Sequence, residues 1–212
     1  MKNAFYSLRN VNTPFTLDII ERVVAATFFG FFALRFLDAY LETGHIFLLC
    51  QLLTEFLVIG FILARRFSTE VSLNPADWCV AVAGTILPLL IAPGGEPLVP
   101  IVLSNVIILT GMVTNIWAKL SLRRSFGVVA ANRGVKTKGP YSLIRHPMYF
   151  GYVVTHVGFF LYNPTFHNLV IYLAALTFQV FRILAEERTL SKDPKYQLYS
   201  SEVRYRLIPG IF

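Results

Sequence analysis

The stretch from Leu98 to Ala118 runs for about 21 residues without one charged side chain, enough helix to cross the hydrocarbon core of a bilayer. A run of this kind leaves few folds open. Inside a bilayer the backbone must satisfy its own hydrogen bonds, so the chain must cross as helices or close into a barrel. Other apolar blocks repeat the pattern. Ile46 to Ala64 is interrupted only by Glu55, and Trp78 to Ala92 contains Pro88. Pro147 to Tyr162 and Thr165 to about Leu184 are separated by the turn pair Asn163-Pro164. The first block, from about Leu17 to Tyr40, has a short uncharged centre, Val23 to Leu34. Glu21, Arg22, Arg35 and Asp38 flank that centre, spaced to pair along the helix or to snorkel. The expectation is an all-α, polytopic membrane protein with about six transmembrane helices (five to six), ending in a helical hairpin.

Composition agrees. The chain has 212 residues, of which 15% are charged, against about 25% in a soluble domain. One membrane domain, 1–212, accounts for the length. Its N-terminal transmembrane helices occupy 1–118, and the longest basic segment and the hairpin occupy 119–212. The net charge of +7 is carried by Lys and Arg in the short loops. That placement reads as topology signals beside anionic lipid, not as nucleic-acid binding. Lys2 and Arg9, Arg65 and Arg66, the long basic segment Lys119 to Arg145, and the tail after Glu187 fall on one side. The loops around His45, Gly94 and Asn163 carry no Lys or Arg. Both termini are then cytoplasmic, in an inner membrane of a bacterium or the endoplasmic reticulum of a eukaryote.

Cys50 and Cys79 lie in apolar blocks without neighbours at metal-ligand spacing, so both read as packing residues and no metal is expected. His156 and His167 read the same way. Asn105, Thr110, Thr114 and Asn115 are expected to face other helices. Glu55 within an apolar block is either a functional carboxylate, or one held by a neighbouring helix, Arg35 being the candidate partner, or one kept protonated.

Two polar clusters remain. Gly139-Pro-Tyr-Ser-Leu-Ile-Arg-His-Pro-Met-Tyr-Phe-Gly151 runs straight into an apolar helix. Pro147 suits the first helical position, which puts His146 at the N-cap and Tyr149 in the first turn. A helix N-terminus favours negative groups, and Tyr141, Arg145, His146 and Tyr149 add donors and aromatic faces. The second cluster, Arg182-Ile-Leu-Ala-Glu-Glu187, ends the hairpin's other helix. Arg182 and Glu186 share a helix face, which is either a plain ion pair or half of a site. Adjacent carboxylates need a counter-charge, and they suit an amine, a ribose diol or a sulfonium. Met in space, the two clusters would hold a zwitterionic, nucleotide-like ligand.

At these residues the chain resembles the isoprenylcysteine carboxyl methyltransferase family and its phospholipid methyltransferase relatives. The residues that carry the resemblance are Gly139-Pro-Tyr141, Arg145-His-Pro-Met-Tyr-Phe-Gly151, Glu186-Glu187, Tyr196-Gln-Leu-Tyr199 and Pro209. It covers roughly Leu122 to Phe212, and it implies that 119–212 is a cofactor-binding catalytic region whose pocket opens to the cytoplasm. The resemblance implies S-adenosylmethionine as methyl donor, lined by Tyr141, His146, Pro147, Met148 and Tyr149, with Val135 and Lys136 contributing backbone and Glu186 also holding it. Arg182 would face the methyl acceptor, a lipophilic or lipid-anchored molecule entering from the bilayer. One departure is Ala130, where relatives often carry a polar side chain. A carboxylate acceptor is already ionised at neutral pH and needs no base. An amine or thiol acceptor must lose a proton, and His146 or Glu187 is then the candidate base. Two other classes stand beside this one. An NADPH-dependent membrane reductase of the sterol-reductase type resembles the chain around Arg145-His146-Pro147. A transporter or scaffold would instead use Glu55 and Arg35.

Overall fold

The computed structural model describes residues 2–44, 46–68 and 70–212, with side chains described from residue 14 onward except at 45–47, 50 and 69. The expectations for Lys2, Arg9, His45 and Cys50 fall outside the described side chains. The regular elements are helices: α1 (Lys2–Thr43), α2 (Ile46–Ala64), α3 (Pro75–Ile86), α4 (Ile101–Leu122), α5 (Pro147–Tyr162), α6 (Phe166–Leu190) and α7 (Pro194–Glu202). Among the described residues the β structure is one isolated antiparallel bridge, Val71 to Ala131.

The chain divides into two compact units, 1–73 with 122–134, and 74–121 with 135–212. In the first, α1 packs along α2 over a buried ionic network. Arg65 reaches Glu21 at 2.7 Å and Asp18 at 2.9 Å, and Arg133 meets the same two acids at 3.1 Å. Glu21 also accepts from the backbone N–H groups of Val128 and Val129, which ties the loop to α1. Arg22 pairs with Asp18 one turn back and donates to the carbonyls that end α2. Arg65 and Arg133, read as loop charges, are therefore buried parts of the fold. Removing one member of such a network costs about 3–5 kcal/mol, because it strands a buried charge. Arg35 and Asp38 stay exposed. Ala130 is buried, and its carbonyl accepts from Ser72 N–H at 2.9 Å.

The second unit holds α3 to α7. Asn74 caps α3 through its side chain, with Pro75 following, and Pro88 converts the helix's end into the 3₁₀ turn Leu87–Leu90. The inward face of α4 carries Ser104, Ile108, Gly111, Met112, Asn115 and Ala118, all buried. Val102, Val106, Leu109, Val113, Trp117 and Leu120 form the opposite, exposed stripe. A helix with small and polar groups inside and large apolar groups outside suits a lipid surrounding. Asn105 and Thr110 lie on the exposed side, so of the four polar residues only Asn115 is buried against another helix. Thr110 and Thr114 satisfy their hydroxyls on carbonyls one turn back. Cys79 is exposed on α3, not packed as expected.

Backbones of α4 and α5 meet at glycines. A Cβ on Gly151 would lie 2.7 Å from the Asn115 nitrogen and 2.8 Å from the Gly111 oxygen. Asn115 then donates its side-chain N–H to the Met148 carbonyl at 3.0 Å. At the hairpin's turn, Thr165 caps α6, and Asn168 bonds both the N–H and the C=O of Ala92.

Among the described residues two helical segments are long and apolar enough to cross a membrane, Ile101–Ser125 and Phe166–Leu190. Gln51–Ala64 and Pro75–Leu90 are apolar but shorter. The 16 residues of α5 span about 24 Å, less than the roughly 30 Å of hydrocarbon.

Candidate active site

The two polar clusters expected to meet do so, entirely within the second unit. Pro147 is the first residue of α5 and His146 its N-cap. Gly139 takes φ +67° where the preceding turn passes Ser121 and Trp117 of α4, a conformation that excludes most side chains. This turn directs the buried Tyr141, His146, Met148 and Tyr149 toward the last turns of α6.

Glu186 and Glu187, adjacent in sequence, have separate tasks. Glu186 accepts from the Tyr149 hydroxyl, and its carboxylate lies 3.6 Å from His146 Nδ1. Its side chain keeps 22% exposure. Glu187 is saturated. It receives Arg145 at 3.0 Å, His146 Nε2 at 3.1 Å, the Tyr196 hydroxyl at 2.9 Å and Arg206 Nε at 2.9 Å. Arg182, one turn before Glu186, is buried with its guanidinium 5.2 Å from the Tyr149 ring centroid. Its stem passes close to Gly84 of α3, where a Cβ would approach Arg182 Cδ to 3.1 Å.

The tail completes the cluster. The N–H groups of Arg145 and His146 donate to the carbonyls of Tyr205 and Arg206, at 2.9 and 2.8 Å. The Tyr199 hydroxyl donates to the Tyr141 carbonyl at 2.6 Å, which gives the Tyr196-x-x-Tyr199 pair of α7 its two jobs.

Electrostatics follow from these contacts. Burial pushes the His146 imidazole down, but hydrogen bonds and charge from Glu186 and Glu187 outweigh it and raise its pKa above the usual 6.5. Burial, then the Glu186 carboxylate, pushes the Tyr141 phenol well up. Burial and Glu187 do the same to Tyr196, which stays a neutral donor.

Val135 and Lys136 are half-buried in the segment before this turn, and the hydrogen bonds described above do not run through them. Of the other histidines, His167 bonds the Leu90 carbonyl at 2.9 Å, and His156 lies 5.0 Å from the Tyr172 ring. Sequence reading missed Arg206 and the tail pairing. It also missed α7, although Asp193-Pro194 carries the cap-then-proline signal of a helix start.

With the apolar hairpin and its aromatic, histidine and carboxylate cluster described, comparisons with known proteins can be set beside them. The sequence model of the phospholipid methyltransferase family matches residues 99–196, a little under half of the chain. Among solved structures, the eukaryotic intramembrane Ras methyltransferase ICMT (isoprenylcysteine carboxyl methyltransferase), determined without a monobody, is similar in fold. The likeness has a TM-score of 0.50 at 20% identity and covers 99% of this chain and 86% of that one. No curated protein matches. The family model thus covers the hairpin and the helix before it, and the likeness to the solved structure is one of fold.

Proposed function

We propose that the chain is an S-adenosylmethionine-dependent membrane methyltransferase acting on a lipophilic acceptor at the cytoplasmic face, with carboxyl O-methylation as its favoured reaction. The observation that carries this is the Glu186 carboxylate, held by Tyr149 beside His146 with Arg182 over the same ring. The residue types fit the cofactor: a carboxylate suits an amine or diol, and the tyrosines suit a cation or a base. When bound, the cofactor supplies a methyl group activated on a sulfonium.

The chain's own residues bind and orient. Tyr141, His146, Pro147, Met148, Tyr149 and Glu186 line the cofactor site, with Val135 and Lys136 adding backbone. Arg182 aligns an acceptor carboxylate for in-line attack. Such an anion needs no base, so catalysis is alignment and exclusion of water. Glu187 is then a positioning residue. Its four donors fix His146 and the tail and leave it no free oxygen for proton transfer.

The test is binding of labelled S-adenosylmethionine to the detergent-purified protein beside Glu186→Ala. Saturable binding lost in a variant that unfolds at the wild-type temperature supports the reading. A folded wild-type protein that does not bind sinks it. Methylation of an S-farnesylcysteine acid against phosphatidylethanolamine then separates carboxyl from amine acceptors.

A further inference from the structure

Lys119 lies in the last turn of α4 and is only 1% exposed. Lys138, Lys192 and Lys195 of the same unit are exposed, as lysine ordinarily is. A lysine near the end of an apolar helix ordinarily snorkels to water, but this one turns inward. Its ammonium sits 5.4 Å from the centroid of the Tyr152 ring. Among the described residues, the ion pairs give it no carboxylate. A ring face offsets a small part of the cost of burying an ammonium, and the remainder calls for a counter-charge.

The missing anion has a defined place. The Tyr152 ring lies 6.4 Å from the Tyr149 ring, and Arg182 lies over Tyr149. Lys119 and Arg182 thus sit against two successive rings on one face of α5, with Glu186 at the Tyr149 hydroxyl. The position is rigid, since one turn before Lys119 the Asn115 side chain is bonded to Met148, beside the glycine crossing of α4 and α5.

We propose that the Lys119 ammonium binds a carboxylate of a ligand lying along the Tyr149–Tyr152 face of α5. This rests on the methyltransferase reading, under which two molecules carry a carboxylate: the cofactor at its methionyl end and a carboxyl acceptor. A group that pairs with a charge weakens binding by about tenfold or more when truncated. A residue that only supports the fold weakens ligands with and without the carboxylate alike.

The experiment measures affinity of the full chain for S-adenosylmethionine and its decarboxylated analogue, using wild type, Lys119→Gln and Lys119→Arg. It also measures competition by an S-farnesylcysteine acid and by its methyl ester. If Lys119→Gln weakens S-adenosylmethionine but not the decarboxylated analogue, and Lys119→Arg recovers most of the loss, the carboxylate is the cofactor's. If the same pattern separates the acid from the ester, it is the acceptor's. Either result supports the proposal. Unchanged affinities in Lys119→Gln overturn it, as does equal weakening of every ligand. A folded wild type that binds no S-adenosylmethionine brings down the methyltransferase reading itself, and the assignment of Lys119 with it.

Discussion

Tyr149 and Glu186 are joined across the α5–α6 hairpin by a hydrogen bond from the phenol to the carboxylate. The pair links the cluster that opens one helix to the cluster that ends the other. Tyr149→Phe removes the donor and keeps the ring under Arg182. A hydrogen bond to a charged group contributes about 1.5–3 kcal/mol, so Glu186 should lose its orientation. Labelled S-adenosylmethionine should bind at least several-fold more weakly to the variant. Wild-type affinity would remove Tyr149 from the site.

The glycine crossing gives a packing prediction. Gly151→Ala places a methyl group 2.7 Å from a backbone nitrogen, so α4 and α5 must move apart, at a cost of about 1–3 kcal/mol. Gly30 of α1 has nothing within 4 Å of its would-be Cβ. Gly30→Ala should be neutral or stabilising by up to about 1 kcal/mol, through helix propensity. Thermal unfolding in detergent reads both, and equal melting temperatures would contradict the crossing.

A pH prediction rests on His146. Its folded pKa is raised above the ordinary 6.5, so the folded state favours the imidazolium. The stability this contributes is fully present below about pH 6.5 and is lost as pH rises through the raised folded value. The melting temperature of wild type should therefore fall on going above neutrality by more than that of His146→Gln. Parallel pH profiles for the two proteins would show that folding does not raise the histidine's pKa.

Two ion pairs separate buried from exposed charge. Arg188 meets Asp77 at 2.6 Å with its side chain 59% exposed. Arg188→Ala should cost less than about 1 kcal/mol. Glu187→Ala strands Arg145, Arg206 and Tyr196 together and should cost about 3–5 kcal/mol. Denaturant midpoints of the two variants compare these directly.

What the sequence made legible was local. Pro147 marked the start of α5 because its ring suits the first helical position, and Asn163-Pro164 marked the hairpin turn. The Glu186–Glu187 pair was legible because two adjacent acids at the end of an apolar helix need partners. The partners themselves were only half legible. Arg145 and Tyr196 lie in recognisable motifs, but Arg206 reads as one more basic tail residue. Lys119 looked like a loop charge because nothing in its neighbours tells which way a side chain at a helix end will turn. Asn105 and Thr110 were misplaced, and for Thr110 the reason is related, since a hydroxyl bonded one turn back no longer needs another helix.

The tail pairing bears on the order in which the site assembles. Arg145 and His146 take their backbone partners from Tyr205 and Arg206, and the whole α5–α6 hairpin lies between. Closing so long a loop is entropically costly until the hairpin has already brought its ends together. The hairpin must therefore form first, and the tail docks last onto a preformed surface. By the same logic the tail is the first part to peel away under mild stress, in a local opening that leaves the hairpin folded. Amide hydrogens of Arg145 and His146 should then exchange with solvent well before those of α5, and the histidine would lose its setting while the helices around it still hold.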